Sequence, residues 1–201
     1  MEEFRLFYTP VWRANLSGRS EQWSSLQRAM IDKVYALADA EAGVEKTNFG
    51  GWQSTDDLFK HSEFSWLLNN LIEVANEIVP AFGTTRGIND GHLWANLNRK
   101  GDFNAMHNHP DSFLSGAAYL KYEREEQGVI EFFDARAGSP TASWACYMQL
   151  REQNDMTEAV HTVVPREGDV LFFPGWLQHW VSPNMTDSDR ISISFNMSIR
   201  D

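Results

Sequence analysis

The sequence has few cysteines, few basic residues and no long apolar run, and each of these features excludes a large class of proteins. It has one cysteine in 201 residues, Cys146, so no disulfide can form within the chain and we expect a reducing compartment, the cytoplasm. Basic residues number 17 against 28 acidic ones, and the net charge of −11 argues against a nucleic-acid partner. No apolar run approaches the roughly 20 residues of a membrane span. The acidic start, Met1-Glu-Glu-Phe-Arg5, also lacks the apolar run of a signal peptide.

What remains is the composition of a globular enzyme or binding protein. Hydrophobic residues make up 42% of the chain and charged residues 22%, both ordinary values. A length of 201 residues suits one domain with a sizeable core. We therefore predict a single domain over residues 1–201, with helical support in 1–85 and a β core in 86–201. Nothing in the sequence argues for or against an oligomer.

Helical periodicity is confined to the first part of the chain. Apolar residues recur every three or four positions over 21–40 and again over 62–79, which predicts two amphipathic helices. Ser20 is a candidate N-cap for the first, and Pro80 with Gly83 would close the second. Ahead of them, residues 4–12 are predicted to form a first strand.

From residue 91 onward the pattern changes to alternation of polar and apolar residues. About eight short strands follow, which with the two helices predicts a mainly β protein: a double-stranded β-helix, or jelly roll, backed by N-terminal helices. The irregular stretch 134–162 contains Gly138-Ser-Pro140, and we interpret part of it as a flap beside the active site. The predicted strands are 91–98, 103–109, 114–122, 129–133, 170–173, 179–182 and 190–199.

Candidate metal ligands lie in the stretch Asn104-Ala-Met-His107-Asn-His109-Pro-Asp111. On an extended strand, side chains two residues apart share a face, so His107, His109 and Asp111 could point the same way. A further ligand would come from elsewhere, and His179 is the best candidate. Two histidines and a carboxylate with open positions are the ligand set of non-haem iron(II) oxygenases. Taken alone, two histidines at this spacing are equally often plain polar residues at a strand end.

A second polar face lies near the end of the chain, in Arg190-Ile-Ser192-Ile-Ser194-Phe-Asn196. Alternation places the arginine, both serines and the asparagine on one face. An arginine on an inward face needs an anionic partner, because a buried unpaired charge is very costly. Its guanidinium fork matches a carboxylate, and the hydroxyl of Ser192 could add a hydrogen bond.

The order of these motifs resembles the 2-oxoglutarate/iron(II)-dependent dioxygenase superfamily, and within it an uncharacterised prolyl-hydroxylase-like branch. The resemblance is carried by Trp94-Ala-Asn-Leu-Asn98, Gly101-Asp-Phe-Asn104, His107-Asn-His109-Pro, Leu114-Ser-Gly-Ala-Ala-Tyr119, Gly168-Asp-Val-Leu-Phe-Phe-Pro-Gly-Trp176 and the Arg190 segment, with Leu6-Phe-Tyr-Thr-Pro-Val-Trp12 near the start. It implies a dioxygenase that uses Fe(II), 2-oxoglutarate and O2. The enzyme would hydroxylate a C–H bond of a peptidyl or small-molecule substrate and release succinate and CO2. The alternative is a cupin-like metal- or ligand-binding module without turnover.

The resemblance leaves two metal sites open. The wider superfamily's His-x-Asp would correspond to His109 and Asp111 with His179, whereas the narrower branch points to His107, His109 and His179. The turn-like Pro110-Asp111-Ser112 favours the second set.

The resemblance also implies roles for other residues. Arg190 and Ser192, with the Tyr119 hydroxyl, would bind the far carboxylate of 2-oxoglutarate. Asn96, Asn98 and Asn104 are expected either to hold the ligand side chains in place by hydrogen bonds or to contact the substrate. We expect no catalytic side chain beyond the metal ligands.

Overall fold

Two antiparallel β-sheets form the body of the protein in the computed structural model, which describes residues 2, 8–134 and 158–199. Over these residues the sheets contain eleven strands, and two α-helices precede most of them. The helices are α1 (Trp23–Ala40) and α2 (Ser65–Ile78). The strands are β1 (Trp12–Asn15), β2 (Asn48–Phe49), β3 (Trp52–Gln53), β4 (His92–Asn98), β5 (Phe103–His107), β6 (Leu114–Lys121), β7 (Ile130–Phe133), β8 (Val160–Val163), β9 (Asp169–Pro174), β10 (His179–Val181) and β11 (Arg190–Met197).

The large sheet has the strand order β1-β9-β6-β11-β4-β3, and the small sheet has the order β2-β5-β10-β7-β8. Neighbours in the large sheet are distant in sequence, as in the crossing connections of a jelly roll. The fold class predicted from the sequence is confirmed. Of the eight strands from β4 to β11, seven overlap the predicted strands, and β8 is the exception. The single domain with a boundary at residue 85 stays a prediction.

Both predicted helices are present: the first begins two residues later than predicted, and the second begins three residues later and ends one residue earlier. The Ser20 hydroxyl accepts a hydrogen bond from the Gln22 amide at 3.1 Å, and its carbonyl accepts one from the Trp23 amide at 3.1 Å, so the turn before α1 is fixed there. A 3₁₀ turn over Ser62–Phe64 precedes α2, and another over Val79–Phe82 follows it. Among the described residues, no helix combines the length and apolar character needed to cross a membrane.

The faces of β11 show how the sheet separates core from cavity. Ile191, Ile193 and Phe195 are fully buried in the apolar core shared with the helices. Burying such side chains contributes about 1.5–3 kcal/mol each. A one-residue slip would send Arg190 and Ser192 into that core instead, so the register is strongly fixed.

Three predicted boundaries need correction or lie outside the described residues. The first strand was expected over 4–12, but it begins at Trp12 and pairs with β9; residues 3–7 are not described. Pro10 cannot donate to a sheet, which favours pairing after it. Val160–Val163 forms a strand against β7 where an irregular stretch was expected, because its sequence Val-His-Thr-Val does not alternate apolar and polar residues. The rest of the predicted flap, 135–157, lies outside the described residues.

Candidate active site

A cavity of about 480 Å³ lies between the two sheets. Its walls come from β4, β6 and β11 of the large sheet and from β5 and β10 of the small one, with a contribution from the loop after α1. A volume of this size falls in the range of small-molecule sites. Nine of the predicted site residues line it: His107, His109, Asp111, His179, Arg190, Ser192, Tyr119, Asn96 and Asn104. Asn196, which had no predicted role at the site, lines it as well.

Three histidines converge at one side of this cavity. His107 ends β5 and lies directly opposite His179, the first residue of β10, while His109 follows two residues after β5. One ring nitrogen of each lies within 4.8 Å of those of the others. In the described part of the chain this is the one cluster of His, Cys, Asp or Glu side chains suited to a metal ion.

Backbone hydrogen bonds orient two of the three rings. His107 Nδ1 lies 2.7 Å from the Ala105 carbonyl, and His179 Nδ1 lies 2.9 Å from the Leu177 carbonyl. A carbonyl oxygen only accepts, so both Nδ1 atoms carry the proton and both Nε2 lone pairs are left for a metal. Such bonds from the second nitrogen fix the tautomer and the ring orientation in metal sites.

Burial keeps these imidazoles uncharged at neutral pH. It lowers the pKa of His107, and it lowers the pKa of His179 to about 3, with a smaller contribution from the charge of His107. The pKa of His109 falls to about 4, again chiefly through burial, with Coulombic contributions from His107 and Lys46. Neutral imidazole is the form that binds a metal ion.

An irregular register brings Asn104 and His107 to the same cavity. His179 pairs with His107, whereas Val181, two residues further on, pairs with Asn104, three residues back. The extra residue on β5 is a β-bulge, a feature that re-aims side chains beside active sites. Strict alternation would have turned Asn104 and His107 to opposite faces.

Asp111 lies at the rim of the cavity, outside the histidine cluster. The strand ends at His107, and the Ser112 amide donates to the His109 carbonyl at 3.0 Å, which closes a turn over Pro110 and Asp111. This turn leaves Asp111 exposed. The structure therefore does not bring His109, Asp111 and His179 together as a ligand set.

Arg190 is buried on the cavity wall with its hydrogen bonding incomplete. It is 1% exposed, and its Nη1 donates to the carbonyls of Gln127 at 2.5 Å and Ser182 at 3.1 Å. Its Nη2 has no partner among the described residues. Burial lowers the pKa of the guanidinium, partly offset by the neighbouring tyrosines Tyr119 and Tyr122.

Gly128 makes room for this guanidinium. Its φ of +94° is one that side-chain-bearing residues rarely adopt, and a Cβ there would lie 2.2 Å from Arg190 Nη1. The glycine thus allows the Gln127 carbonyl to approach the arginine closely.

Ser192 and Tyr119 face the cavity together with Arg190. They are Cα partners on β11 and β6, and they are 8% and 2% exposed. Burial raises the pKa of Tyr119, so its hydroxyl stays protonated and able to donate. The three side chains predicted to hold a carboxylate thus lie on adjacent strands.

The predicted asparagines divide into two groups. Asn96 and Asn104 line the cavity, and Asn96 Nδ2 donates to Ser194 Oγ at 2.9 Å. Asn98 is the Cα partner of Arg190 but is not among the lining residues, and its amide nitrogen and oxygen are buried with no hydrogen-bond partner among the described residues. Asn98 thus lies beside Arg190 in the sheet but off the cavity surface.

Several lining residues carried no predicted role. Asn196 lies with its amide nitrogen 3.5 Å from His109 Nδ1, and the alternation of β11 already placed it on the right face. Gln53 and Lys46 come from the segment after α1. That segment contains strands of only two residues, too short for any periodicity to predict its position.

Comparison with known proteins gives a family and a fold. The family described as "Putative 2OG-Fe(II) oxygenase" matches residues 92–196, just over half of the chain. A search of curated proteins finds no match.

Several solved structures are similar to this chain. A Pseudomonas putida prolyl-4-hydroxylase has a TM-score of 0.65 at 16% identity, covering 95% of this chain and 93% of that one. The 2-oxoglutarate-dependent epimerase SnoN from nogalamycin biosynthesis has a TM-score of 0.64 at 16% identity, covering 92% and 78%. A Trichoplax adhaerens prolyl hydroxylase, solved with a hypoxia-inducible-factor peptide, has a TM-score of 0.62 at 13% identity, covering 94% and 83%. At these identities the likeness concerns the fold.

Proposed function

The chain belongs to the 2OG-Fe(II) oxygenase family, and on that basis we propose that it hydroxylates a C–H bond of a peptidyl or small-molecule substrate, releasing succinate and CO2. Family membership confirms the enzyme class predicted from the sequence and its dependence on Fe(II) and 2-oxoglutarate. The choice of substrate, the outcome at the C–H bond and the role of each residue are proposals. So is a cytoplasmic, reducing setting, which the single cysteine supports.

The observation that carries the proposal is the cluster of His107, His109 and His179 on the cavity wall. Three uncharged imidazoles within 4.8 Å of one another suit a divalent transition metal. These residues would hold Fe(II). With O2 and 2-oxoglutarate, bound Fe(II) supplies the oxidising chemistry; the protein's part is to bind, orient and shield the reactants.

Arg190 supports the proposed binding of 2-oxoglutarate. Within the described residues, the buried guanidinium has neither a partner for Nη2 nor an ion pair with a carboxylate. Such burial is costly unless a ligand pairs with the charge. The far carboxylate of 2-oxoglutarate is such a ligand, and the hydroxyls of Ser192 and Tyr119 would donate to the same carboxylate. Asn96 and Asn104 would contact substrate or orient these groups, with Asn98 behind them.

Metal binding and turnover should depend on His179, and not on histidines outside the cluster of His107, His109 and His179. We expect His179→Ala to lose stoichiometric Fe(II) binding under anaerobic conditions, and to lose succinate formation from 2-oxoglutarate in air. The matched control is His161→Ala, which removes an exposed histidine paired with Glu158 and should behave as the parent.

The two readouts separate the candidate functions. A parent protein that binds Fe(II) but never forms succinate would favour the binding module without turnover. Unchanged Fe(II) affinity in His179→Ala would overturn the assignment of the metal site itself.

A further inference from the structure

One wall of the cavity is occupied neither by the proposed iron ligands nor by the proposed carboxylate clamp. The clamp residues lie on β6 and β11, whereas β4 and β3 continue the large sheet on the other side of β11. Gln53 on β3 is the Cα partner of Asn96 on β4, and both line the cavity. We define the β3–β4 wall as Gln53, Asn96 and Trp94. The Trp94 ring lies 5.8 Å from that of His109, so the wall extends to the metal centre.

The two carboxamides of this wall have unused hydrogen-bonding capacity. Gln53 is only 4% exposed, and no hydrogen bond within the described part of the chain involves its side-chain amide. Asn96 is 5% exposed; its Nδ2 donates to Ser194, and its Oδ1 is buried without a partner among the described residues. Asn96 Oδ1 is a fully buried unpaired atom and bears its full desolvation penalty, whereas the Gln53 amide is not among the fully buried unpaired atoms and lines the cavity. A bound ligand is the natural partner for them.

Charge at the cavity restricts what that ligand presents to the wall. Three charged or titratable residues line the cavity near this wall: Asp56, His92 and, from the segment before β2, Lys46. All three are exposed. The buried part of the wall has only neutral side chains. A charged ligand group placed there would lose hydration without gaining an ion pair. A carboxamide both donates and accepts, so its best complement is another amide.

We propose that Gln53, together with Asn96, binds an amide group of the substrate. Gln53 is then a specificity-determining residue, and the substrate is an amide-bearing molecule, either a peptide or a small carboxamide. The inference rests on the proposed function, since it takes the same cavity as the active site.

The binding test uses zinc(II) as a diamagnetic stand-in for iron, with 2-oxoglutarate added. N-acetylated, C-amidated tripeptides and, separately, small primary carboxamides are titrated while the side-chain amide signals are followed by ¹H–¹⁵N NMR. We expect binding to shift the Gln53 signal, and an ester analogue of the same probe to bind more weakly. The two probe sets distinguish a peptide from a small-molecule substrate.

Variants then test the residue itself. Gln53→Leu should weaken amide-probe binding roughly 2- to 10-fold, the loss of one or two neutral hydrogen bonds. Gln53→Glu, which keeps the shape but loses the NH2 donor, should also weaken it. The control Gln22→Leu, an exposed glutamine before α1, should match the parent.

The binding of zinc and of 2-oxoglutarate is measured first on each sample. A parent protein that binds neither would count against the proposed function. With both intact, equal probe affinity in parent and Gln53→Leu would overturn the role of Gln53, and so would selection of simple amines or carboxylates over every amide probe.

Discussion

Arg190 offers the sharpest test of the cosubstrate pocket, because its guanidinium is buried yet incompletely paired. Nη1 donates to two backbone carbonyls, so the group is held in place, and Nη2 has no partner in the part of the chain that the structure describes. We predict that Arg190→Ala binds 2-oxoglutarate much more weakly than the parent while Fe(II) binding persists. Arg190→Lys should fall between them, since it keeps the charge but loses the planar fork.

The size of the effect follows from the bonds that are lost. A hydrogen bond to a charged group contributes about 1.5–3 kcal/mol, which corresponds to roughly a 10- to 150-fold increase in Kd. Arg190→Ala also leaves the carbonyls of Gln127 and Ser182 without their donor, at a cost of about 1–3 kcal/mol each in stability. The free energy of unfolding therefore has to be measured beside the affinity, and Arg190→Lys is the variant in which affinity is less confounded by folding.

The assay is calorimetric titration of 2-oxoglutarate into anaerobic Fe(II)-loaded protein. Arg19→Ala is the control, since Arg19 is an exposed arginine already paired with Glu77 and Glu73, and removing such a pair changes little. Equal affinity for 2-oxoglutarate in the parent and in folded Arg190→Ala would refute the clamp. It would also remove the main support for a bound carboxylate at this end of the cavity.

Two further predictions concern the histidine cluster. His107→Ala should lose anaerobic Fe(II) affinity while Asp111→Ala keeps it, because only His107 shares the cluster; the reverse result in equilibrium titrations would favour the set of His109, Asp111 and His179. In the metal-free protein, the free energy of unfolding should decrease as pH falls from about 6.5 towards 4. Over this range the histidines of the unfolded chain become protonated, whereas the buried imidazoles of the folded protein stay neutral because their pKa is lowered. The slope should reach at most about 1.4 kcal/mol per pH unit for each such histidine. It should be shallower in His179→Gln by urea unfolding, and identical slopes would contradict the assigned burial effect.

Sequence alternation was sufficient wherever a strand is long and has one apolar face. On β11 the polar residues face the cavity and Ile191, Ile193 and Phe195 face the helices, so the positions of Arg190 and Ser192 followed from the pattern. The period-two rule needs only local sequence, and burial of the apolar face enforces it. The helices were predictable for the same reason, with a period of 3.6.

The same rule could not place residues whose position depends on distant partners. Asn104 and His107 are three positions apart, so regular alternation would place them on opposite faces of β5. Only the bulge opposite β10 brings both side chains to the cavity. Gln53 lies on a strand of two residues that is fixed by pairing with β4. Neither feature has a local signal, because each is decided by hydrogen bonds to a strand far away in the sequence.

His109 shows how such long-range bonds complete the site. It lies beyond the end of β5, where alternation alone no longer fixes a side chain, yet its amide donates to the Gly175 carbonyl at 2.7 Å. A Cβ at Gly175 would lie 2.6 Å from the His109 carbonyl and 2.2 Å from that of Ser112, so only glycine lets the two segments approach so closely.

Two residues after that glycine, the Leu177 carbonyl orients the ring of His179. The segment Pro174-Gly-Trp-Leu177 therefore positions two of the three histidines without supplying a ligand itself. This positioning explains why the segment resembles the family motif. The Gly175 carbonyl anchors the backbone of His109 and the Leu177 carbonyl orients the ring of His179, so the two anchors lie within three residues of each other. A change in the path of this turn would therefore displace both histidines together.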